Sequence, residues 1–122
     1  MKKILIVDDQ PEVRELVEVT LRIGDYKILQ ASSGDEALRI ARAERPDLML
    51  LDVMMPNSSV DGFEVCRLLK SDPATRNINI VMVTARGQET DKEIGWKAGA
   101  DDYFTKPFSP LQLMGKVEEL LS

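Results

Sequence analysis

Short apolar runs, each bounded by polar or turn residues, recur along the whole chain. Four of them end directly at polar side chains, and a fifth is somewhat more polar throughout. The four runs occupy residues 4–7, 48–51, 80–83 and 103–105, and the fifth occupies residues 26–31. Runs of this length and character are typical of strands that are buried on both faces of a sheet. The pattern therefore predicts five β-strands.

Helical patterns fill the intervals between the predicted strands. The first helix begins near Pro11, where the missing N–H of proline costs little, and it ends before Gly24. Ser33 and Glu36 have the spacing of a capping box, which predicts the start of the second helix. The other three helices are predicted over residues 63–70, 88–98 and 110–121.

Strict alternation of strands and helices predicts an α/β fold with a parallel sheet covered on both faces. We expect one domain over residues 1–122, because the chain is long enough for one core and too short for two. Right-handed crossovers favour the strand order 2-1-3-4-5, the doubly wound, flavodoxin-like arrangement. In that order the first and third strands are neighbours.

Polar side chains follow the predicted strands at the edge where ligands bind to open parallel sheets. Asp8 and Asp9 follow the first strand, and Asp52 follows the third. Thr84 and Lys106 follow the fourth and fifth strands. The sequence therefore predicts that three carboxylates, a hydroxyl and an ammonium meet at one edge, a combination that suits a hard divalent cation and a phosphoryl group.

The residue types in this cluster each have a separate chemical use. Crowded carboxylates repel one another unless a divalent cation lies between them, and Mg²⁺, with Mn²⁺ as the alternative, prefers such oxygen ligands. Asp52 is then placed to act as a nucleophile and to become an aspartyl phosphate. Lys106 supplies a point positive charge and Thr84 supplies a hydroxyl donor to the phosphoryl oxygens.

Composition narrows the function further. The chain has 122 residues, 43% of them hydrophobic and 30% charged, and a net charge of −5, which argues against nucleic-acid binding by this domain itself. Its single cysteine, Cys66, excludes an internal disulfide, and the lack of histidine excludes histidine-based catalysis or phosphohistidine in this chain. We find no bilayer-length apolar stretch and no signal-peptide pattern, so we expect a cytoplasmic protein without membrane contact.

Several motifs together give the chain a specific family resemblance over nearly its whole length. They are Ile6-Val7-Asp8-Asp9, Leu51-Asp52-Val53-Met54-Met55-Pro56, Asp61-Gly62-Phe63-Glu64, Val83-Thr84-Ala85 and Gly99-Ala100-Asp101-Asp102-Tyr103 followed by Lys106-Pro107-Phe108. On these motifs the chain resembles the receiver domain of bacterial two-component response regulators, such as the chemotaxis regulators. That family is known for the strand order given above, so the resemblance and the order are not independent arguments.

The resemblance implies a role for each residue around the acidic cluster. Asp52 matches the phosphoacceptor, and Asp9 matches the direct metal ligand. Asp8 matches the acidic partner that reaches the metal mainly through water. Met54 matches the position whose backbone carbonyl binds the metal, and together with Arg86 it matches positions that govern water access to the phosphoaspartate.

The resemblance also implies a switch. Thr84 matches the switch hydroxyl, and Tyr103 matches the aromatic residue that turns inward as the threonine moves toward the phosphoryl group. Lys106 matches the lysine that pairs with the phosphate, and the family often has a cis bond before the following proline, here Pro107.

By the same resemblance, the domain is a signalling switch and not a turnover enzyme. A histidine kinase or a histidine phosphotransfer protein is the expected phosphodonor. The expected output is an effector domain or protein that binds the face made by the fourth helix, fifth strand and fifth helix, and a phosphorylation-dependent dimer is compatible with this. The chain is then either a free-standing receiver or part of a longer regulator.

One segment departs from the family pattern. The loop after the phosphoacceptor, from Asn57 to Val60, is about two residues longer than the usual Met-Pro-x-Met-Asp-Gly motif. We expect metal binding to survive, because Met54 precedes the insertion. Partner docking on that side is the property that the insertion puts in question.

Simpler roles and other classes of function remain as alternatives. Asp9 and Thr84 are also suited to capping the helices that follow them, Lys106 to solvation at a strand end, and Tyr103 to packing on an edge strand. A Mg²⁺-dependent phosphohydrolase would need an Asp-x-Asp pattern after the first strand, and a nucleotide binder would need a Gly-Lys-Ser/Thr loop. An interaction module that is never phosphorylated is the third alternative.

Overall fold

The computed structural model describes residues 1–56, 58–85, 89–106 and 108–121, without the side chains of residue 85 and residues 89–92. The expectations for Arg86 and for a cis bond before Pro107 fall outside the described residues, as does Asn57, the first residue of the longer loop. They stay predictions.

Strands and helices alternate along the chain as the hydrophobic pattern predicts. The strands are β1 (Lys2–Val7), β2 (Tyr26–Ala31), β3 (Leu48–Asp52), β4 (Asn79–Ala85) and β5 (Asp102–Lys106). The helices are α1 (Pro11–Leu21), α2 (Gly34–Glu44), α3 (Gly62–Ser71), α4 (Glu89–Ala98) and α5 (Pro110–Leu121). The predicted α/β class is confirmed.

All neighbouring strands of the sheet run parallel, in the order β2-β1-β3-β4-β5. The predicted doubly wound order is therefore confirmed. β1 and β3 are neighbours, with Val7 opposite Leu51, so the residues that follow both strands emerge side by side. β3 is buried along its whole length, as its uninterrupted apolar run predicts.

Two hydrophobic cores lie on opposite faces of the sheet. One core includes residues of α2 and α3, and the other includes residues of α1 and α5. Successive β4 side chains alternate between them, with Met82 in the first and Val83 in the second. The same alternation puts Thr84 on the face of the first core, against which Tyr103 also packs.

Local capping fixes where the helices begin. Ser33 accepts a hydrogen bond from the Glu36 N–H at 3.2 Å, which confirms the predicted cap of α2. The reciprocal bond is different, because the Glu36 carboxylate accepts from the N–H of Ser32. At α5, Ser109 and Gln112 exchange both bonds of a capping box.

The strand ends differ from the sequence-based expectation at three positions that matter for the site. Asp52 and Lys106 are the last residues of β3 and β5 and do not follow them. Thr84 lies inside β4 and does not follow it. The strand continues because Thr84 and Ala85 still pair with Thr105 and Lys106 of β5, a partner that the apolar pattern of β4 alone does not reveal. Within the part of the chain that the structure describes, no helix is long and apolar enough to cross a membrane.

Candidate functional site: an acidic pocket at the carboxyl edge of the sheet

Three carboxylates converge where β1 and β3 end. Asp8 and Asp9 follow β1 directly, and Asp52 is the last residue of β3. One carboxylate oxygen from each of the three lies within 4.8 Å of the others. The structure thus brings together the three acidic residues that the sequence singled out, and it does so because the two strands are parallel neighbours.

Asp8 is held in place from several directions. Its side chain is buried and accepts a hydrogen bond from the Gln10 N–H at 2.9 Å. Its backbone carbonyl accepts a 2.6 Å bond from the guanidinium of Arg14, whose Nε donates to Gln30 at 3.1 Å. Sequence reasoning missed Arg14, and no motif marks it, because its partner in Asp8 is a backbone carbonyl.

Lys106 crosses the pocket from the end of β5. Its ammonium lies 3.0 Å from Asp8 Oδ2 and 3.5 Å from Asp52 Oδ2. Burial works against the ammonium, but the two carboxylates outweigh that effect and raise the pKa of Lys106. Lys106 therefore stays charged and bridges the two aspartates.

Asp52 is the most perturbed carboxyl group of the pocket. The residue is only 5% exposed, and burial raises its pKa from the usual 3.8 to about 6. The charge of Lys106 and a 3.1 Å hydrogen bond from the Met54 N–H oppose that rise, while the charge of Asp8 adds to it. A pKa that is shifted by burial and by specific neighbouring charges is typical of residues in functional sites.

Thr84 is buried near the same edge, one residue beyond Val83, which pairs with Asp52. The residue is 1% exposed, and its hydroxyl finds no hydrogen-bond partner among the residues described. A buried hydroxyl usually has a partner. Thr75, the other buried threonine among the side chains that the structure describes, follows that rule, since its hydroxyl donates to the Leu69 carbonyl at 2.7 Å.

Tyr103 packs against α4. Its ring makes an edge-to-face contact with Trp96, with the ring centroids 5.0 Å apart. Its hydroxyl lies directly above Gly95, so close that a Cβ at that position would be 1.4 Å from the phenolic oxygen. Tyr103 therefore links α4 to the face of the sheet on which Thr84 lies.

Met54 follows Asp52 by two residues on the mouth of the pocket. The residue is 65% exposed, and its N–H is bonded to Asp52. The role of its carbonyl as a metal ligand stays a prediction.

The pocket fits a hard divalent cation. The described donors are all oxygens, the ligand type that Mg²⁺ prefers, and two of the three carboxylates are buried. The raised pKa of Asp52 shows that its charged form is poorly compensated by Lys106 alone. A cation among these oxygens would supply the missing compensation.

A doubly wound domain with an acidic pocket at its switch point, bridged by a lysine from the last strand, defines the receiver class of signalling domain. The family model described as "Response regulator receiver domain" matches residues 4–118 of the chain. The chain belongs to this family, and it is a signalling domain of the two-component response regulators. The resemblance noted from the motifs is thereby confirmed.

Among known proteins, transcriptional regulators of about twice its length are similar to this chain. The alkaline phosphatase synthesis transcriptional regulatory protein PhoP of Bacillus subtilis (strain 168) is 44% identical over 120 residues, which are 98% of this chain and 48% of the relative. The chain therefore spans about half the length of the curated relatives that it matches. Their names describe transcriptional regulators, and those activities belong to the whole relatives.

Two similar solved structures come from proteins that are not named as transcriptional regulators. The chemotaxis protein CheY4 of Vibrio cholerae superposes with a TM-score of 0.90 at 32% identity, with 98% of each chain covered. The receiver domain of a signal transduction histidine kinase from Syntrophus aciditrophicus also gives 0.90, at 36% identity, and covers 99% of this chain and 90% of its own. Similarity therefore identifies the domain and leaves its output open.

Proposed function

We propose that this domain accepts a phosphoryl group on Asp52 from a phosphohistidine and thereby changes its partner-binding surface. A histidine kinase or a histidine phosphotransfer protein is the donor. The observation that carries the proposal is the position of Asp52, buried at the end of β3 between Asp8 and the Lys106 ammonium. Phosphoryl transfer needs an aligned nucleophile and positive charge near the transferred oxygens, and these residues can supply both.

The two oxygens of Asp52 differ in their surroundings, which suggests how the transfer proceeds. Oδ1 accepts the Met54 N–H, while Oδ2 lies 3.5 Å from the Lys106 ammonium. A carboxylate oxygen attacks the phosphorus, the P–O bond forms, and the P–N bond of the phosphohistidine breaks with its electron pair returning to the imidazole. Lys106 can then move from Asp52 to a phosphoryl oxygen and neutralise part of its charge.

The metal assignment follows the donor set. Asp8, Asp9, Asp52 and the Met54 carbonyl are the groups that would hold Mg²⁺, or Mn²⁺ in its place. A divalent cation there would neutralise charge on the equatorial phosphoryl oxygens. The protein's own contribution is to align the Asp52 oxygen and to keep Lys106 charged beside it.

The buried hydroxyl of Thr84 offers a means of reading the modification. In the unmodified domain it has no partner among the described residues, so a phosphoryl oxygen on Asp52 would give it one. Movement of Thr84 frees space on the face that Tyr103 shares, and Tyr103 contacts Trp96 of α4. Phosphorylation would thus shift a two-state equilibrium at the surface formed by α4, β5 and α5.

That surface has the character of a partner site. Trp96 is 53% exposed and Leu111 is 80% exposed, and a groove of about 690 Å³ lies between β5 and α5. An effector domain, an effector protein or a second copy of the domain could bind there. Gene regulation is one candidate output, because transcriptional regulators occur among the relatives. The net charge of −5 argues against DNA binding by this domain itself. We place the protein in the cytoplasm, where such kinases deliver their phosphoryl groups.

Intact-mass spectrometry tests the proposal and separates it from its alternatives. The protein is incubated with acetyl phosphate and Mg²⁺, and Asp52→Asn is the matched control. The switch predicts one added phosphoryl group in the wild type and none in the variant. Continuous release of phosphate at high turnover would indicate a phosphohydrolase, and the lack of any adduct with acetyl phosphate or with a phosphohistidine donor would indicate an inert interaction module.

A further inference from the structure

The lengthened loop after Asp52 is attached to the start of α2. The Ser58 hydroxyl accepts a 2.8 Å hydrogen bond from the Gly34 N–H, the first amide of that helix. The same hydroxyl donates to the Val60 carbonyl at 2.6 Å. The first amides of a helix have no partner within the helix, so Ser58 supplies one from a distant segment.

Gly34 is shaped for this contact. A Cβ at this position would lie 2.1 Å from the Val60 carbonyl oxygen and 3.0 Å from Ser58 Oγ. Any larger residue would therefore push the loop away from the helix. Alanine is otherwise the better helix former, so glycine here carries a small propensity cost in exchange for the close approach.

Ser58 also connects to the proposed metal site through the backbone. Its N–H donates to the Met55 carbonyl at 3.0 Å, and Met55 is buried in the core. Met54, whose N–H is bonded to Asp52, is the preceding residue. The two peptide units that flank the one carrying the Met54 carbonyl are thus both hydrogen-bonded. The preceding unit is bonded to Asp52, and the following unit is bonded to Ser58, whose hydroxyl is bonded to α2.

We infer that Ser58 is a positioning residue for the metal site, acting through the loop that carries the Met54 carbonyl. The inference rests on the proposed function, since it concerns Mg²⁺ held in that pocket. An insertion of two residues would by itself loosen a loop. The Ser58–Gly34 contact restores the order, so that the carbonyl is in place before the cation arrives.

Calorimetric Mg²⁺ titration at neutral pH, on the unphosphorylated protein, tests the inference. Ser58→Ala should raise the Mg²⁺ Kd by about threefold to tenfold, the range that one hydrogen bond of ordinary net strength allows. Ser58→Thr keeps the hydroxyl and should restore binding to near the wild-type value. Gly34→Ala should weaken binding similarly, although it raises the helix propensity of α2.

Ser59→Ala is the matched control from the same loop. The Ser59 hydroxyl also reaches the start of α2, but it donates to the exposed carboxylate of Asp35 and not to a backbone group of the helix. An exposed bond between two side chains contributes little to order, so its removal should leave the Mg²⁺ Kd within twofold of the wild type. Amide exchange of Gly34, measured without metal, should speed up in Ser58→Ala and not in Ser59→Ala. That readout reports the contact itself and is independent of phosphorylation.

The outcomes separate this inference from the proposed function. If the wild type binds Mg²⁺ and Ser58→Ala binds it equally well, the positioning role is wrong and the proposed function stands. The same holds if Ser59→Ala is as damaging as Ser58→Ala, or if Gly34 exchange does not respond. If the wild type takes up no Mg²⁺, the inference and the metal-dependent function are both overturned.

Discussion

The Lys106 ammonium lies 3.5 Å from the Asp52 carboxylate, yet the pKa of Asp52 is raised to about 6. Burial dominates, and the ammonium is closer to Asp8, at 3.0 Å, than to Asp52. One cation is thus shared by two buried carboxylates, with Asp9 nearby as a third. The pocket is short of positive charge, which is the physical reason to expect that it binds a cation.

Replacing Asp52 should stabilise the metal-free protein at neutral pH. The folded state binds a proton at Asp52 more tightly than the unfolded chain does, so the wild type loses stability as the pH rises from about 4 through 6. A rise in pKa from 3.8 to about 6 corresponds to roughly 3 kcal/mol at most. Asp52→Asn avoids this loss, so its advantage in unfolding free energy should be small near pH 4 and largest above pH 6.

Chemical denaturation with a chelator present, at several pH values, measures this difference. Adding Mg²⁺ should reduce the advantage of Asp52→Asn, because the cation stabilises only a folded state that it binds. A difference between the two proteins that does not vary from pH 4 to pH 8 would show that Asp52 is not the perturbed group.

Removing Lys106 should separate metal binding from phosphoryl transfer. Lys106→Met leaves Asp8 and Asp52 without their shared ammonium, so Mg²⁺ should bind several-fold more tightly, because it no longer competes with a fixed cation. Phosphorylation by a small donor should slow by tenfold or more, about 1.4 kcal/mol, because the phosphoryl oxygens lose a positive partner.

Lys116→Met is the matched control for that experiment. Lys116 pairs with Asp102 at 2.9 Å at the opposite end of β5 from Lys106. Its loss should change neither the Mg²⁺ affinity nor the rate of phosphorylation appreciably. Parallel losses of metal binding and transfer in Lys106→Met would instead indicate that Lys106 only maintains the structure of the pocket.

Thr84 and Thr75, both buried, should respond in different ways to substitution by valine. Thr84→Val removes a hydroxyl that has no partner among the described residues, so the unfolding free energy should stay level or rise by about 1 kcal/mol. Thr75→Val removes the donor to the Leu69 carbonyl, so the unfolding free energy should fall by about 1 kcal/mol or more. Equal destabilisation in thermal or denaturant unfolding would mean that Thr84 has a partner in solution.

Trp96, the only tryptophan of the chain, should report the state of Tyr103. The two rings are in contact, so movement of Tyr103 on phosphorylation should change the emission of Trp96. Gly95→Ala places a methyl group where the Tyr103 hydroxyl now lies, and it should produce part of that change without phosphorylation. Two results together would contradict coupling of Tyr103 to phosphorylation. The wild-type spectrum would not change when a phosphodonor is added, and Gly95→Ala would have the same spectrum as the wild type.

Much of the fold and of the acidic pocket follows from the sequence for simple reasons. Buried parallel strands leave uninterrupted apolar runs, and parallel neighbours must end at the same edge, so Asp8 and Asp52 are predicted to meet. Thr84 shows the limit of that reasoning. Its apolar run ends at Val83, but β4 continues to Ala85 because it pairs with β5, and pairing is not visible in a single run.

Hydrogen bonds between side chains and backbone groups account for much of what the sequence did not predict. Arg14 reaches the carbonyl of Asp8, and Ser58 reaches the first amide of α2, and neither bond follows from a local pattern. Both involve backbone groups, which every residue has, so the sequence carries no chemical label for the partner. The pKa of Asp52 is a further case, since it depends on burial that only the packed structure defines.

Mapping the phosphorylated residue is the most direct test of the account. The protein would be treated with acetyl phosphate in the presence of Mg²⁺ or of a chelator, and the modified peptide would be located by fragmentation. The account predicts modification at Asp52 with Mg²⁺ and little or none with the chelator. Modification at another residue, or equal modification of Asp52 without a divalent cation, would contradict it.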